Sequence, residues 1–426
     1  MAITFDDLVQ AARAAEAAGD LDGCAACQLE MYAMVQKDRS LLRRVDTTYL
    51  RNDYFMRVLA AAAFAYDRGD GKLSEYYLTH FPPEFLAKPG TFPEHHEAFG
   101  RLAYARGAYA RAAEEFSAHL EPFSQDAEAW VRFGNAQFQL RRFQRAAAAY
   151  REALFWEKSR EDAAENRRLA AAMMMAPEGT PLPVLREPDE RIKMDADDWE
   201  AVRRIPIFIN CRDRVGCLEK LVDWLLVAGY QNLVLLDNAS TYRPLLQYYE
   251  RIRSERVRVV RLDDNIGHKA VWDCGILELL DVRTPYVYTD PDVLPAETCP
   301  PRFLQAFLRV LVAHPSIRKV GAALQTHDIT WHDRAKTIEG EVSTRLAPLG
   351  NDMYFANIDT TFALYRNVRF YHRGPAIRMA GRYEFLHLPW YYDYDHLPED
   401  EQYYFEHASA ACSLKYYQEH PDASRT

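Results

Sequence analysis

Several things this chain lacks narrow its reading before any motif is sought. It has no excess of positive charge: 52 lysines and arginines face 62 aspartates and glutamates, for a formal net charge of −10 at pH 7. That excludes a protein whose main task is to coat nucleic acid or an anionic membrane. Long apolar runs are absent. The best, Val58 to Tyr66, stops after nine residues, whereas a membrane-spanning helix needs about 20. Met1 to Asp20 carries acids where a secretion signal would be basic and then apolar. Cysteine is scarce, with seven scattered residues, an odd number that fits reduced thiols and not a disulfide framework. The expected location is therefore the cytoplasm, at most peripheral to the inner face of the membrane. No GxGxxG follows a strand-like run and no GxxxxGK[ST] occurs anywhere, which argues against dinucleotide cofactors and ordinary P-loop ATP binding.

What is present is enough core for two or three domains: 426 residues, 49% of them hydrophobic. From Met1 to about Met175 the chain is rich in Ala, Arg, Glu and aromatics and poor in β-branched runs, so this part should be all helix. A shift of 34 residues lays Phe99, Gly100, Ala112 and Phe116 over Phe133, Gly134, Ala146 and Tyr150. Large residues on one helix would fill the space left by Gly and Ala on its neighbour. Two further degenerate units are expected around Gly19-Asp20 and from Leu50 to Tyr77. Cys24-Ala-Ala-Cys27 has no second CxxC and no His nearby, so packing is the better reading.

A Pro/Gly-rich stretch and a charged run from Ala176 to Glu200 read as a linker. From Ile205 onward the periodicity becomes short β runs (IPIFIN, NLVLLD, VRVVRL, YVYTD) alternating with helical stretches. Such alternation implies a mostly parallel sheet covered by helices, with ligands at the carboxyl ends of the strands. At the end of the fourth run stand Thr289-Asp290-Pro291-Asp292. In an extended segment alternate side chains leave the same face, so both carboxylates point at one site, where hard oxygen ligands suit Mg2+ or Mn2+.

The segment around Trp130 to Ala153 resembles the tetratricopeptide repeat. From about Ile205 to Asp292, the order Asn210-Cys-Arg212-Asp213-Arg214, Asp237-Asn-Ala-Ser-Thr241, Asn265-Ile-Gly267 and Asp290-Pro-Asp292 resembles the GT-A glycosyltransferases, particularly family 2. The implied fold class is an α plus α/β multidomain chain: a tetratricopeptide-like helical domain over 1–175, a linker over 176–200, and a GT-A (Rossmann-like) α/β domain over 201–426.

The resemblance implies a transferase that moves a sugar from a nucleotide-diphosphate sugar to an acceptor hydroxyl on a glycan, glycolipid or protein, as in polysaccharide biosynthesis. Inversion at the anomeric carbon is expected. Asp290 and Asp292, with His387 from the C-terminal third, would hold Mn2+ or Mg2+. Asp213 and Asp237 would contact base and ribose, with Asp237 also well placed to cap a turn. Arg212, Arg214 and Lys269 are candidates for the diphosphate, as are Asn265 and Gly267 with the helix N-terminus after them. The Glu-Asp pair of family 2 is missing between Asp292 and His387. The general base is therefore sought among Asp359, Asp328, Glu339, Glu341 and Asp352, with Asp359 preferred because Thr360 and Thr361 flank it. Trp390, Tyr391 and Tyr392 could stack on a sugar ring or belong to the core. The helical repeats would bind an acceptor, a protein partner or a second copy of the chain. Two other readings stay open: a non-catalytic adaptor with a degenerate nucleotide-sugar domain, and a sugar-nucleotide pyrophosphorylase.

Overall fold

The computed structural model describes residues 3–38, 41, 54–80, 93–188, 192–329, 347–372, 376–393 and 395–407. Helical pairs come first: Phe5–Ala18 with Leu21–Lys37, Tyr54–Asp67 with Gly71–Thr79, Pro93–Ala105 with Tyr109–Leu120, and Ala127–Gln139 with Phe143–Trp156. A further helix, Glu161–Met175, closes the stack against its predecessor. The small-against-large packing read from the repeat is present. A Cβ on Gly134 would lie 2.5 Å from Tyr150 Cε1, and one on Gly100 would lie 2.7 Å from Phe116 Cε1. Tyr150 and Phe116 are both buried. Cys24 is buried with its thiol toward the Ala12 carbonyl, and no disulfide joins it to Cys27.

The connection after this helix does not hang free. Asn166 accepts from the Arg186 amide and donates to its carbonyl, while Glu187 accepts from Tyr104 and Asn135. The segment is thereby strapped back along the helices.

Next comes a mixed α/β region. Strands β1 (Ile207–Cys211), β2 (Leu233–Asp237), β3 (Val257–Arg261) and β4 (Tyr286–Thr289) are the four expected β runs, all parallel. Short strands β5 (Val293–Pro295), β6 (Lys319–Ala322), β7 (Ala347–Gly350), β8 (Met353–Ala356), β9 (Ala363–Tyr365), β10 (Ala376–Met379) and β11 (Phe385–His387) come after them. The nine-stranded sheet runs β3-β2-β1-β4-β9-β6-β10-β8-β7, and β5 pairs separately with β11. Strand β9 is antiparallel to both neighbours, so the sheet is mixed where a mostly parallel one was expected. The helix expected from His268 to Leu280 is instead broken into Ala270–Asp273 and Ile276–Leu279, because Gly275 between them takes a left-handed φ of +72°.

The helical region docks on the β7 edge. Its first three helices touch β7 and the third also reaches β8. Asp67 accepts from the Ser316 amide and hydroxyl, the latter at 2.6 Å. Arg318, beside β6, is buried among Glu97, Asp126 and Glu128 of the helical region. Among the described residues no helix is long and apolar enough to cross a membrane.

Candidate active site at the strand ends

Strand β4 is buried along its whole length and delivers Asp290 to the carboxyl end of the sheet, the face where parallel-sheet proteins place ligands. The Asp290 amide donates to Thr360 O at 3.0 Å, and Thr360 Oγ1 donates to Asp290 Oδ2 at 2.6 Å. Two residues on, Asp292 leads into β5. Because β5 pairs antiparallel with β11, His387 stands opposite Val293, and the Leu388 amide donates to the Asp292 carbonyl. This ladder carries His387 across 95 residues of sequence to lie with its Nε2 3.5 Å from Asp292 Oδ2. The His387 ring packs on Trp390 at 4.6 Å between centroids.

The two carboxyls are driven apart in acidity. Burial and then the charge of Asp292 push Asp290 well above the usual carboxylate range. Burial would raise Asp292 too, but Arg214 and His387 outweigh it and hold that group ionised. Among the described residues no group of three or more His, Cys, Asp or Glu side chains is already drawn together as a metal shell. The chemistry of Asp290, Asp292 and His387 nevertheless suits a divalent cation.

Arg214 is buried and has its own clamp. Its Nε and one terminal nitrogen donate to the two oxygens of Glu401, each at 2.8 Å, and its other terminal nitrogen donates to Asp292 Oδ2 at 2.6 Å. Glu401 belongs to the helix Glu399–His407, whose Asp400 also accepts from the Gly216 amide at 2.7 Å. Tyr392, the last of the aromatic run, contacts Cys217 through its hydroxyl at 3.0 Å. Glu401 and Asp400 are site residues that sequence reasoning missed. Their only signal was the acidic run Glu399-Asp400-Glu401, and their partners lie more than 180 residues away.

On the β1–β2 side, Asp213 takes a left-handed φ of +54° and is buried. Its Oδ1 accepts from the Thr241 and Tyr242 amides at 2.7 and 2.8 Å, while Oδ2 is buried without a hydrogen-bond partner. Asp237 departs from the expectation that it faces a ligand. It has no exposed surface and accepts from Tyr249, Ser240 and Arg261, so it serves the corner between β2 and β3. Arg212 donates to the Asn238 and Ala239 carbonyls. Gly267, at φ +83°, accepts from Asn238 through its carbonyl, and Asn265 accepts from the Gly267 amide. Residues Gly267–Lys269 form a three-residue 3-10 turn, not the helix N-terminus expected there. Lys269 is exposed and lies over the Tyr371 ring.

Asp359 precedes Thr360, so the loop that holds Asp290 also carries the preferred base. The side chain opens to solvent, and its Oδ1 accepts from the Thr361 amide at 3.0 Å. Burial by the surrounding protein would push its carboxyl above the usual range, but Arg378, the Thr361 amide and Lys319 prevail and keep it ionised. From behind, buried Lys319 donates to the Ile358 and His372 carbonyls, both at 2.6 Å. Asp328 is bound instead to Tyr391 and Gln325, and Asp352 sits in the turn between β7 and β8. Glu339 and Glu341 lie outside the described residues. Trp390 is buried, while Tyr391 stays half open at the rim.

No family model matches the sequence, and no curated protein does. Among solved structures the chain is similar to a mutant of the O-GlcNAc transferase of Thermobaculum terrenum, with 18% identity and a TM-score of 0.24 over 49% of this chain and 42% of that one. The chain thus spans less than half of that protein's length.

Proposed function

We propose that this chain is a metal-dependent glycosyltransferase that moves a sugar from a nucleotide-diphosphate sugar to an acceptor hydroxyl. The observation that carries the reading is the approach of His387 Nε2 to within 3.5 Å of Asp292, made by the β5–β11 pairing, with Asp290 two residues earlier at the end of β4 and near enough to feel the Asp292 charge. Asp213 supports a nucleotide on the β1 side, because its buried Oδ2 makes no hydrogen bond, only a 3.8 Å ion pair with Arg212, and so has lone pairs left for a base N–H or a ribose hydroxyl.

Charge balance supports the cation. Asp292 and Glu401 are carboxylates bonded to the same Arg214, and Asp359, offset by Arg378 and Lys319, is a third carboxylate whose charge reaches Asp290. A diphosphate arriving there needs further positive charge. Asp290, Asp292 and His387 would hold Mn2+ or Mg2+, which when bound neutralises the charge developing on the departing diphosphate. Asp359, ionised and open to solvent, is the group that would take the acceptor proton, with Thr361 and Lys319 fixing its loop. A base on the acceptor side fits inversion. The paired helices would supply the surface for an acceptor, a partner or a second copy.

The test is a hydrolysis and binding screen of UDP-, GDP-, dTDP- and CMP-sugars with Mn2+, using the full chain and Asp292→Asn. One donor turned over by the wild type, with loss in the variant and on chelation, is the expected result. If no donor is bound or cleaved even with candidate acceptors present, the reading fails.

A further inference from the structure

Guanidinium groups favour a forked pair with both oxygens of one carboxylate. Arg214 has two carboxylates to choose from and divides itself unequally. Glu401 takes the fork, through Nε and one terminal nitrogen at 2.8 Å each, and Asp292 receives a single bond on Oδ2. No donor of Arg214 reaches Asp292 Oδ1. Glu401 itself has no exposed surface.

Its helix is anchored by contacts that do not involve Arg214. Asp400 accepts from Gly216 N, and Tyr403 meets Thr241 hydroxyl to hydroxyl at 3.0 Å and packs against Tyr242, the rings tilted and 4.8 Å apart. Apart from these anchors, the same helix also places the Tyr404 ring against the Arg214 guanidinium, 4.9 Å from its carbon. The fork is therefore offered to Arg214 by a fixed element.

We propose that Glu401 is a positioning residue for the cation site: it draws the Arg214 fork away from Asp292 so that Asp292 keeps one oxygen for a divalent ion. This rests on the cation site proposed above. Without the Glu401 charge, Arg214 turns its fork to Asp292 and becomes a resident cation that competes with the metal.

The experiment measures Mn2+ binding to the full chain by loss of the free-ion EPR signal, with and without UDP, for wild type, Glu401→Gln and the double variant Arg214→Met with Glu401→Gln. Wild type is expected to bind Mn2+, and Glu401→Gln to bind it at least tenfold more weakly. The double variant is expected to recover most of the affinity, since the competing guanidinium is gone. A merely structural role for Glu401 would leave the double variant as weak as the single one, and that result overturns the proposal. So does equal binding by wild type and Glu401→Gln. If Glu401→Gln does not fold, Arg214→Met alone still decides, because it must bind Mn2+ at least as tightly as wild type. Failure of wild type to bind Mn2+ in any condition removes the cation site and this inference with it, whereas Mn2+ binding indifferent to Glu401 sinks the inference alone.

Discussion

Arg318 offers the sharpest perturbation, because it joins the two halves of the chain through buried charge. Its guanidinium bonds Glu97 and lies 3.5 Å from Asp126 and 3.6 Å from Glu128. Replacing it with Met keeps the aliphatic volume and removes only the charge, so little cavity energy enters. Breaking a buried ion pair from one side costs about 3–5 kcal/mol, a large part of a typical total of about 5–15 kcal/mol. Urea unfolding followed by circular dichroism should show a loss of that size for Arg318→Met at pH 7.

The pH dependence supplies a second constraint on the same variant. In the native chain burial opposes ionisation of all three carboxyls, but Arg318 prevails and holds Glu97 and Asp126 below their usual range and Glu128 at about 2. Depressed carboxyls contribute stability that is complete above their unfolded values near 4–4.5 and is lost as pH falls through the folded ones. With Arg318 gone, the folded values rise, most at Asp126 and less at Glu97 and Glu128, which keep Arg101 and Arg132 beside them. The stability the three groups contribute at pH 7 falls accordingly, and the loss is relieved as they take up protons. His119, raised by Asp126 against its own burial, faces the same cluster and is already protonated at low pH. The gap between wild type and Arg318→Met should therefore shrink clearly from pH 7 to pH 4.5. A gap below about 1 kcal/mol at pH 7, or one that does not change with pH, refutes the reasoning.

Two other outcomes rest on single contacts. Gly134→Ala gains about 1 kcal/mol of helix propensity but forces a methyl to 2.5 Å from Tyr150, whose hydroxyl is tied to Asn135 at 2.8 Å. Overpacking costs of about 1–3 kcal/mol should prevail, so a thermal melt that stays put or rises contradicts the close packing. Asp213→Asn keeps a carbonyl for the Thr241 and Tyr242 amides but turns the buried Oδ2, 3.8 Å from Arg212, into a donor. The buried N–H beside Arg212 should lower the melting point, and calorimetry on the folded variant should show UDP affinity lower by roughly 10–100-fold; unchanged affinity would remove Asp213 from the nucleotide site.

Local signals in the sequence carried far, and then stopped for a physical reason. The 34-residue shift foresaw Gly134 against Tyr150 because repeat packing is made by neighbours in sequence. Apolar runs foresaw β1, β2 and β4 because a strand buried on both faces must be apolar throughout, while β3, an edge strand, was read from its β-branched residues alone. Strand β9 was not foreseen as antiparallel, since three residues in Ala363–Tyr365 carry no direction. Asp237 looked like a ligand residue because its type and place at a strand end suit one, and nothing local announced Tyr249 and Arg261 as its partners. Glu401 stayed hidden because its meaning is a contact with Arg214, 187 positions earlier.

The docking of helices on β7 also governs how the molecule should be handled. A nine-stranded sheet has two rims, and here one of them is roofed by the chain's own N-terminal helices. The other rim, β3, is five residues long and studded with Arg258 and Arg261, the pattern that discourages strand-to-strand association. A truncation that begins near residue 200 would bare β7 and invite sheet extension between molecules. The aggregated material that resulted would report an unroofed rim, and nothing about whether the strand-end cleft is competent.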